Sequence, residues 1–525
     1  MLNAIRKLLG WQSLTTCLLI LLTVACSNQQ VGIKMSDTKS PPVVFILWNG
    51  DTASWFTRLR NRLGFPFGPL FGELTEPALF FARSPDGGAT FGKPINVSNT
   101  SDSAGEYQLG VSRNMVLITW VEGDFPRQRI LLTRSVDRGI TFNRPVILSS
   151  KDANYPRLIQ LNVSGQMVVV TWVEGRTSGG CAPRSGGGDD IFLIASTDGG
   201  ITFSSPINLS KSPASSSDHQ VAITGRTILV TWKDSAYYAS EDAVLVDILL
   251  ARSTDGGATF GPTINLSRTH SSFHEKHFTL VTDGNIVLIA WQDDTFKAHV
   301  DEDIFLVRST DGGASFGSPM NLSRTSGSSK NPSLLIVKNT VIVVWQDNTT
   351  EAYRKNAARN RSLNDDDIFM VRSTDGGSTF SHPANLSLTN GLSMGPHVDV
   401  VDEIVTVAWT EYPSGDWQND SMKFVIQSTD GGTTFGSPIN IPINIRKTLK
   451  GSWTGIRSMV TGNNTVLAIL YTGTHTGQSS GWLFCYPSKY DIFITHSADK
   501  GSTYGLPIKL RSYTGFFDPQ VAFLP

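Results

Sequence analysis

The sequence predicts an all-β protein built from eight repeated units of four antiparallel strands each. Three observations support this prediction. A short motif with a central aspartate returns along the chain after about the first eighty residues. Each copy follows an apolar segment that ends in an aromatic residue, and in every unit but the first a further short strand-like segment precedes that one. A repeat of about sixty residues is typical of stacked supersecondary units, which bury their faces against each other.

The repeated motif predicts a hairpin turn. Its clearest copy is residues 252–260, with the sequence RSTDGGATF. The carboxylate can accept hydrogen bonds from the amide groups of a tight turn, and the glycines can adopt the positive φ that such a turn requires. Short strand-like segments flank the motif on both sides. The aspartates of the copies are Asp86, Asp137, Asp198, Asp255, Asp311, Asp375, Asp430 and Asp499.

These motifs resemble the Asp-box, or BNR, repeats of the sialidase-like β-propellers. The resemblance covers residues 42–525 and implies a single propeller domain with eight Asp-box repeats. It says little about activity, because Asp boxes also occur in propellers that are not sialidases and one fold can host many functions. The sialidases that the repeats resemble have six blades, which argues against a simple transfer of their activity.

The aromatic strands fix the blade count. Their last residues are Trp48, Trp120, Trp172, Trp232, Trp291, Trp345, Trp409 and Tyr471. No strand precedes the first of them, at residues 43–48, while an unassigned strand begins near Gln520 at the end of the chain. Pairing that C-terminal strand into the first blade would remove an exposed edge. The sequence therefore predicts an eight-bladed β-propeller of four-stranded antiparallel blades, closed by its C-terminal strand.

Residues 1–26 have the features of a secretory signal: Arg6 and Lys7, then an apolar run, then Cys26. The segment ending at Cys26 looks like a lipobox, in which the cysteine is lipidated and becomes the mature amino terminus. The usual leucine three residues earlier is here Thr23. Plain cleaved secretion and a retained anchor helix are the alternatives, and all three place the domain outside the cytoplasm. Residues 27–41 would then be a polar tether between the membrane anchor and the domain. We expect a membrane-anchored monomer at the cell surface.

Two cysteines could form a disulfide bond in the exported chain. Cys181 and Cys485 both fall in the loop between the second and third strands of their units, and therefore on the same face. An oxidising compartment would permit the bond. Two separate thiols are the alternative.

Two sets of acidic residues recur near the long loops that join second and third strands. Because these strands are hairpin partners, we expect the two sets to lie near each other on the face opposite the aspartate turns. They could cap turns and accept local hydrogen bonds, or they could bind a cation such as calcium. The first set is Glu122, Glu174, Asp234, Asp293, Asp347 and Glu411, and the second is Asp190, Asp247, Asp303, Asp367 and Asp491.

Polar residues that open the innermost strands differ from blade to blade. A position that varies while its neighbours stay alike is a candidate for ligand contact, although a solvated channel mouth would look the same. The candidates for ligand binding are Gln108, Arg157, Gln220, His277, His397, Arg457 and Gln520, with Ser333 at the same place in one unit. His270, His274 and His277 could also ligate zinc, but no helix is available to set their spacing.

The sialidase resemblance implies three arginines that grip a carboxylate, a tyrosine nucleophile with a glutamate partner, and an aspartate acid/base. Arg157 and Arg457 are available for the first role, and Tyr513 for the second, but no third arginine or partner glutamate can be assigned. We therefore expect a protein that binds a ligand, and we expect this ligand to be a glycan or surface glycoconjugate. A sialidase-like glycoside hydrolase is the alternative. A net charge of −1 without a basic run beyond the first residues gives no indication of nucleic-acid binding.

Overall fold

The structure is a computed structural model, and the regular secondary structure of the residues it describes is all β. No helix long and apolar enough to cross a membrane occurs in the residues it describes. The described residues are 43–50, 78–85, 92–99, 104–123, 128–150, 153–175, 188–238, 243–267, 277–294, 302–348, 366–389, 391–401, 404–413, 422–441, 452–462, 465–474, 489–497, 508–514 and 520–524.

The strands form four-stranded antiparallel sheets, and within nearly every sheet the strands pair in chain order. The first sheet contains β1 (Val43–Gly50), β2 (Ala78–Ser84), β3 (Ile95–Asn96) and β32 (Gln520–Leu524). The next contains β4 (Ala104–Ser112), β5 (Met115–Glu122), β6 (Arg129–Ser135) and β7 (Val146–Ile147), and is followed by β8 (Arg157–Ser164), β9 (Met167–Gly175), β10 (Asp189–Ser196) and β11 (Ile207–Asn208). Then come β12 (Ser215–Thr224), β13 (Thr227–Tyr238), β14 (Ala243–Ser253) and β15 (Ile264–Asn265), and β16 (Phe278–Asp283), β17 (Ile286–Asp293), β18 (Asp303–Ser309) and β19 (Met320–Asn321).

The later sheets repeat this arrangement. One contains β20 (Ser329–Val337), β21 (Thr340–Asp347), β22 (Asp367–Ser373) and β23 (Ala384–Asn385), and another contains β24 (Leu392–Val401), β25 (Ile404–Tyr412), β26 (Met422–Ser428) and β27 (Ile439–Ile441). The last to begin contains β28 (Ser452–Gly462), β29 (Thr465–Thr474), β30 (Lys489–Ser497) and β31 (Ile508–Thr514). The predicted four-stranded antiparallel units are therefore confirmed.

The two ends of the described chain meet in the first sheet. Strand β32 pairs antiparallel with β1, so that Val43 lies opposite Leu524 and Leu47 lies opposite Gln520. The first strands of successive sheets contact one another in the order β32, β4, β8, β12, β16, β20, β24 and β28. The number of blades and their closure into a ring remain predictions, and they are taken up below.

Alternating side chains of the second strand in each sheet hold neighbouring sheets together. In β21, Val343 and Trp345 pack against Ile304 and Leu306 of the preceding sheet, with Trp345 fully buried. Ile342 and Val344 of the same strand point to the other face and join a cluster with Trp409 of the following sheet. Residues that are apolar on both faces suit a strand buried between two sheets, and burial of this kind contributes roughly 25 cal/mol per Å² of apolar surface.

The aspartate motif forms the predicted turn between third and fourth strands. At Asp375, Oδ1 accepts hydrogen bonds from Ser373 Oγ (2.7 Å) and from the backbone N–H of Thr379 (2.9 Å), while Oδ2 accepts one from Thr379 Oγ1 (2.7 Å). These bonds hold the pKa of the Asp375 carboxyl well below its usual range. Gly377 has φ of 83°, and a Cβ there would lie 3.0 Å from Leu288 of the preceding sheet. Asp137, Asp198, Asp255, Asp311 and Asp430 make equivalent bonds, whereas Asp86 and Asp499 lie outside the described residues.

One predicted loop is instead an extended hairpin. The sequence predicts that residues 233–246 form one of the long loops between second and third strands, but β13 continues to Tyr238 and β14 begins at Ala243, with Tyr238 opposite Ala243. The apolar and aromatic residues of this segment favour strand pairing over an irregular loop, so this prediction was wrong.

Candidate functional site

The face opposite the aspartate turns carries the ends of the second strands and the starts of the third strands, and we call it the variable face. The two predicted sets of carboxylates meet there, as expected. The residues of each pair lie directly opposite each other on neighbouring strands. The pairs are Glu174 with Asp190, Asp234 with Asp247, Asp293 with Asp303, and Asp347 with Asp367. Two members of the first set have other partners, since Glu122 lies opposite Arg129 and Glu411 opposite Met422.

These carboxylates are occupied by hydrogen bonds within the sheets. Asp347 Oδ2 accepts hydrogen bonds from Trp345 Nε1 (3.1 Å) and from Ser329 Oγ (2.6 Å) of the first strand. Asp303 accepts bonds from Asn321 Nδ2 (3.0 Å) and Ser323 Oγ (2.8 Å) of the fourth strand. The first set thus fastens the tryptophan and the innermost strand, and the second set fastens the short outermost strand. Among the described residues, no group of three or more His, Cys, Asp or Glu side chains is arranged to hold a metal ion.

Asp234 differs from the rest of the first set in one respect, because it accepts no hydrogen bond from the tryptophan of its own strand. Its carboxylate accepts bonds from Ser212 Oγ (2.8 Å) and Ser216 Oγ (3.0 Å), and burial raises its pKa, helped by the negative charges of Asp247 and Asp190. Trp232 Nε1, two residues earlier, is buried without a hydrogen-bond partner among the described residues. Five tryptophans of other second strands donate to the carboxylate two residues further on: Trp120, Trp172, Trp291, Trp345 and Trp409.

The predicted ligand residues do not all occupy the same position of the repeat, so the prediction of one shared position was wrong for Arg157 and His277. One position of the first strand lies opposite the residue that precedes the aromatic of the second strand. It is shared by Gln108, Gln220, His397 and Gln520. Arg157 lies opposite Val173, the residue after Trp172, and His277 bonds through its backbone to Gln292, the residue after Trp291. Arg457 falls inside a register irregularity between Ile456 and Ser458.

A bulge explains the error in register. The first strands gain one residue opposite the tryptophan, between Arg157 and Gln160 in β8 and between Lys330 and Ser333 in β20. Leu158 and Asn331 have φ of 51° and 54° at these bulges. A bulge shifts every side chain before it relative to the pairing strand, so counting residues from the sequence misaligns the units.

Residues at the shared position mostly join neighbouring sheets. Gln220 Nε2 donates to Phe278 O (2.8 Å), and Gln220 Oε1 accepts from Leu280 N–H (2.9 Å), so both ends of the side chain bind β16. The half-buried side chain of His397 has its pKa lowered by burial. These observations give Gln220 a structural role, while ligand contact by Gln108 and His397 stays a prediction.

We call the first-strand residue opposite the position after the tryptophan the rim position, because it lies at the variable face. It is occupied by chemically different side chains from sheet to sheet: Arg157, Ser217, His277, Lys330 and Met394. The packing of the repeat therefore does not require a charged residue there, and the two permanent cations, Arg157 and Lys330, need another explanation.

Arg157 lies in a polar group to which three sheets contribute. Its Nη2 is 2.5 Å from Asp189 Oδ2, with each side chain about three-quarters buried. The guanidinium lies over the ring of Tyr155, 5.3 Å from the centroid. Ser215 Oγ of the following sheet donates to Asp189 Oδ2 (3.3 Å), and Glu106 of the preceding sheet accepts from the N–H of Ile159 (3.1 Å). Burial raises the pKa of Glu106, opposed by these backbone bonds and by the charge of Arg157.

Lys330 is the centre of a second group, which sequence reasoning missed. Its Nζ lies 3.5 Å from Oε2 of Glu302, which belongs to the preceding sheet and is 5% exposed. In its own sheet, Asp366 Oδ2 accepts a bond from Gln346 Nε2 (2.9 Å). Burial raises the pKa of Asp366 to about 6, and the charge of Lys330 opposes that shift. The group could have been found by counting back from Trp345 with the bulge included.

The remaining predicted sites lie outside what can be described. Cys26, Cys181 and Cys485 are outside the described ranges, as are His270 and His274. For Arg457, Tyr513 and Gln520 the strand pairing is described but the side chains are not. Lipidation, the disulfide bond and the roles of these side chains stay predictions.

No protein-family model matches the sequence, and no curated protein is similar to it. Solved structures similar to the chain include a family PL25 ulvan lyase bound to a glucuronate–rhamnose sulfate saccharide, at 12% identity and a TM-score of 0.43, covering 70% of this chain and 88% of that one. An α-L-arabinanase from Penicillium chrysogenum has 15% identity and a TM-score of 0.32, with coverage of 56% and 80%. A sialidase from Trypanosoma rangeli has 10% identity and a TM-score of 0.31, with coverage of 83% and 92%.

Proposed function

We propose that the protein is an exported, lipid-anchored, sialidase-like β-propeller that binds a glycan on its variable face. Its sheets are the eight blades of one closed ring, and it acts as a monomer. The pairing of β32 with β1 and the consecutive contacts of the first strands support this arrangement. Deleting residues 515–525 would leave β1 with an unpaired edge, so we expect a clear loss of thermal stability. A deletion variant as stable as the full chain contradicts closure by the C-terminal strand.

The observation that carries the binding function is the group around Arg157. A sugar offers hydroxyls that both donate and accept hydrogen bonds, together with apolar ring faces. The Arg157–Asp189 pair offers charged donors and acceptors side by side, next to the ring of Tyr155. Hydrogen bonds to charged groups are the stronger ones, about 1.5–3 kcal/mol each. The rim position is Ser217 in one other sheet and Met394 in another, so the packing of the repeat does not depend on the charge of Arg157. We infer that the Arg157 group serves a ligand.

Glycan-array binding tests this proposal. The full-length mature protein, wild type and Arg157→Ala, would be applied to an array of printed oligosaccharides, with Ser217→Ala as the control at the same position of the next sheet. We expect the wild type to bind and Arg157→Ala to bind about tenfold or more weakly. Ser217→Ala should bind with the affinity of the wild type. Equal binding by all three proteins contradicts a ligand site at Arg157.

Glycoside hydrolysis is the second candidate function, and one observation favours it. Asp366, with its pKa raised to about 6, and Glu302 both lie near Lys330. Two carboxyl groups in different environments can act as proton donor and base in glycoside cleavage. Against a sialidase-like site, Arg157 is already paired with Asp189. Hydrolysis of a fluorogenic sialoside or neutral glycoside that disappears in Asp366→Asn would favour catalysis over binding alone.

Export and anchoring rest on residues 1–41. We propose that Cys26 carries lipid, because it ends the apolar run and begins the polar segment. The Cys26→Ser variant should move from the membrane fraction to the soluble fraction. A wild-type protein that remains in the membrane fraction with Met1 as its amino terminus would indicate a retained anchor helix instead.

A further inference from the structure

The side-chain group of Glu302, Lys330 and Asp366 is separate from the Arg157 group and belongs to two other sheets. Lys330 occupies the rim position opposite Gln346, as Arg157 does opposite Val173. Two rim positions of the repeat thus carry a permanent cation close to a carboxylate. The carboxylate is Asp189 at the start of the third strand in one sheet, and Asp366 just before the third strand in the other. The repeat itself does not demand this arrangement, since Met394 occupies the same position in the sheet that follows Lys330.

The ammonium group of Lys330 has capacity left for a ligand. Its side chain is 39% exposed, and within the described residues Nζ makes one contact, the 3.5 Å approach to Glu302. That distance is longer than a usual hydrogen bond, so no described residue takes up the three N–H donors. Glu302, by contrast, is held in place, because Ser328 Oγ donates to the same Oε2 atom and Ser329 N–H donates to its backbone oxygen (2.7 Å).

Asp366, the second carboxylate near Lys330, is also held in place. Gln346 Nε2 donates to Asp366 Oδ2 (2.9 Å), and Ser393 N–H of the following sheet donates to the backbone oxygen of Asp366 (2.7 Å). Gln346 is itself anchored, since its Oε1 accepts from Asn331 Nδ2 (2.8 Å). A partly free ammonium therefore lies among carboxylates whose positions are set by two neighbouring sheets.

The charge of the group selects among sugars. At neutral pH the two carboxylates outnumber the single ammonium, and Asp347 and Asp367 add further negative charge near Asp366. A carboxylate or sulfate on a sugar would meet this excess negative charge at close range, where like charges repel. A hydroxyl can accept from the ammonium and donate to a carboxylate at the same time. The arrangement therefore fits uncharged sugar residues.

We propose that Glu302, Lys330 and Asp366 form a binding site for an uncharged sugar residue on the variable face. This inference rests on the proposed glycan-binding function and names a second contact for the same ligand class. The site also predicts a dependence on pH. Below about pH 6 Asp366 gains a proton, the excess negative charge is reduced, and discrimination against acidic sugars falls.

The test compares variants of the full-length mature protein on an array of neutral, uronate-bearing and sialylated oligosaccharides. Lys330→Met removes the donors, and Lys338→Met is the matched control, because Lys338 is an exposed lysine of the same sheet in the turn at the opposite face. We expect Lys330→Met to bind neutral oligosaccharides about tenfold more weakly than the wild type, and Lys338→Met to bind them equally well. Asp366→Asn should bind uronate-bearing oligosaccharides better than the wild type does at neutral pH.

The outcomes separate the two proposals. If Arg157→Ala loses glycan binding while Lys330→Met and Lys330→Gln both retain it, the site at Lys330 is overturned and glycan binding stands. If the wild type prefers uronate-bearing or sialylated oligosaccharides over neutral ones, the assignment to uncharged sugars is overturned. If the wild type binds no printed glycan, both proposals fall. Thermal unfolding of each variant shows whether a loss of binding reflects a loss of fold.

Discussion

Nε of Arg308 donates a hydrogen bond of 2.7 Å to the backbone oxygen of Gly376, in the aspartate turn of the following sheet. Arg308 is the first residue of its own turn motif, so each motif can fasten the next one. Arg252 and Arg372 make the same bond, to Gly312 (2.8 Å) and Gly431 (2.7 Å). The arginine of the motif is therefore a tie between sheets as well as part of a turn.

Arg134 provides a control for the strength of this tie. It occupies the same place in its motif, but its Nε is buried without a hydrogen-bond partner among the described residues. We expect Arg308→Met to lower the free energy of unfolding by about 1.5 kcal/mol more than Arg134→Met, because a hydrogen bond made by a charged group contributes at least about that much. Urea unfolding monitored by tryptophan fluorescence measures the difference. Equal losses in the two variants would mean that packing of the arginine stem, and not the bond, stabilises the sheets.

The tryptophan–carboxylate bond at the variable face gives a second matched comparison. Trp345 Nε1 donates to Asp347, whereas Trp232 Nε1 has no partner among the described residues, and both side chains are fully buried. Replacing either residue by phenylalanine removes a similar volume, but only Trp345→Phe breaks a hydrogen bond to a charged group. We expect Trp345→Phe to destabilise the fold by about 1.5 kcal/mol more than Trp232→Phe. A smaller loss for Trp345→Phe in thermal or urea unfolding would contradict a stabilising role for the bond.

His219 predicts a loss of stability in mild acid. It is 2% exposed, neither ring nitrogen has a partner among the described residues, and burial lowers its pKa to about 4. Asp218 beside it opposes this shift, and Asp218 is itself paired with Lys233 (2.6 Å). An ordinary histidine in the unfolded chain has a pKa near 6.5, so the unfolded state binds the proton first. The stabilisation is therefore complete above about pH 6.5 and is lost as the pH falls toward about 4.

The His219→Phe variant tests this dependence. Other first strands carry Tyr107 and Phe278 just before the shared position, so the site accepts an aromatic ring. From about pH 7.5 to about pH 5, we expect the wild type to lose about 2 kcal/mol more in free energy of unfolding than His219→Phe does. Comparing the two proteins at each pH cancels the titration of Asp366 and other carboxyl groups. Parallel pH profiles would mean that His219 is not the responsible group.

The strand pattern was readable from the sequence because the aspartate turn and the apolar strand are local signals. Trp345 and Asp375 occupy the places that their motifs predict, and the facing of Asp347 with Asp367 follows from hairpin pairing alone. The rim position could not be predicted from the sequence, because a one-residue bulge changes which side chain lies opposite the second strand. The bulge is not marked by a residue type that recurs in every unit. At one bulge the residue with positive φ is Asn331, but at another it is Leu158, which has no tendency toward that conformation.

The same bulge explains which residues of the candidate site were predicted at the wrong position and which were missed. Arg157 was identified from its polar character but assigned to the wrong position, and Ser333 was chosen in the sheet where Lys330 holds the equivalent place. The partners Asp189 and Glu302 come from other strands and sheets, so no spacing in the sequence brings them to the cations.

Gly175 offers a way to disturb the Arg157 group without changing its charges. It lies opposite Asp189 in the sheet, and its N–H donates to Asn154 O (3.2 Å). A Cβ at this position would collide with Asp189 Oδ1 and would lie 2.9 Å from Arg157 Nη1. Such a contact is closer than side chains normally approach, so the ion pair must move apart.

We therefore expect Gly175→Ala to weaken glycan binding by about as much as Arg157→Ala does, roughly tenfold or more, with the net charge of the protein unchanged. Gly317→Ala is the matched control, because its φ is not in the left-handed region and the nearest atom to its Cβ, Arg308 O, would be 3.8 Å away. Isothermal titration of each variant with the best array ligand measures the change. If Gly175→Ala binds as the wild type does while Arg157→Ala does not, the guanidinium acts through its charge alone, and the close pairing with Asp189 is not needed for the ligand.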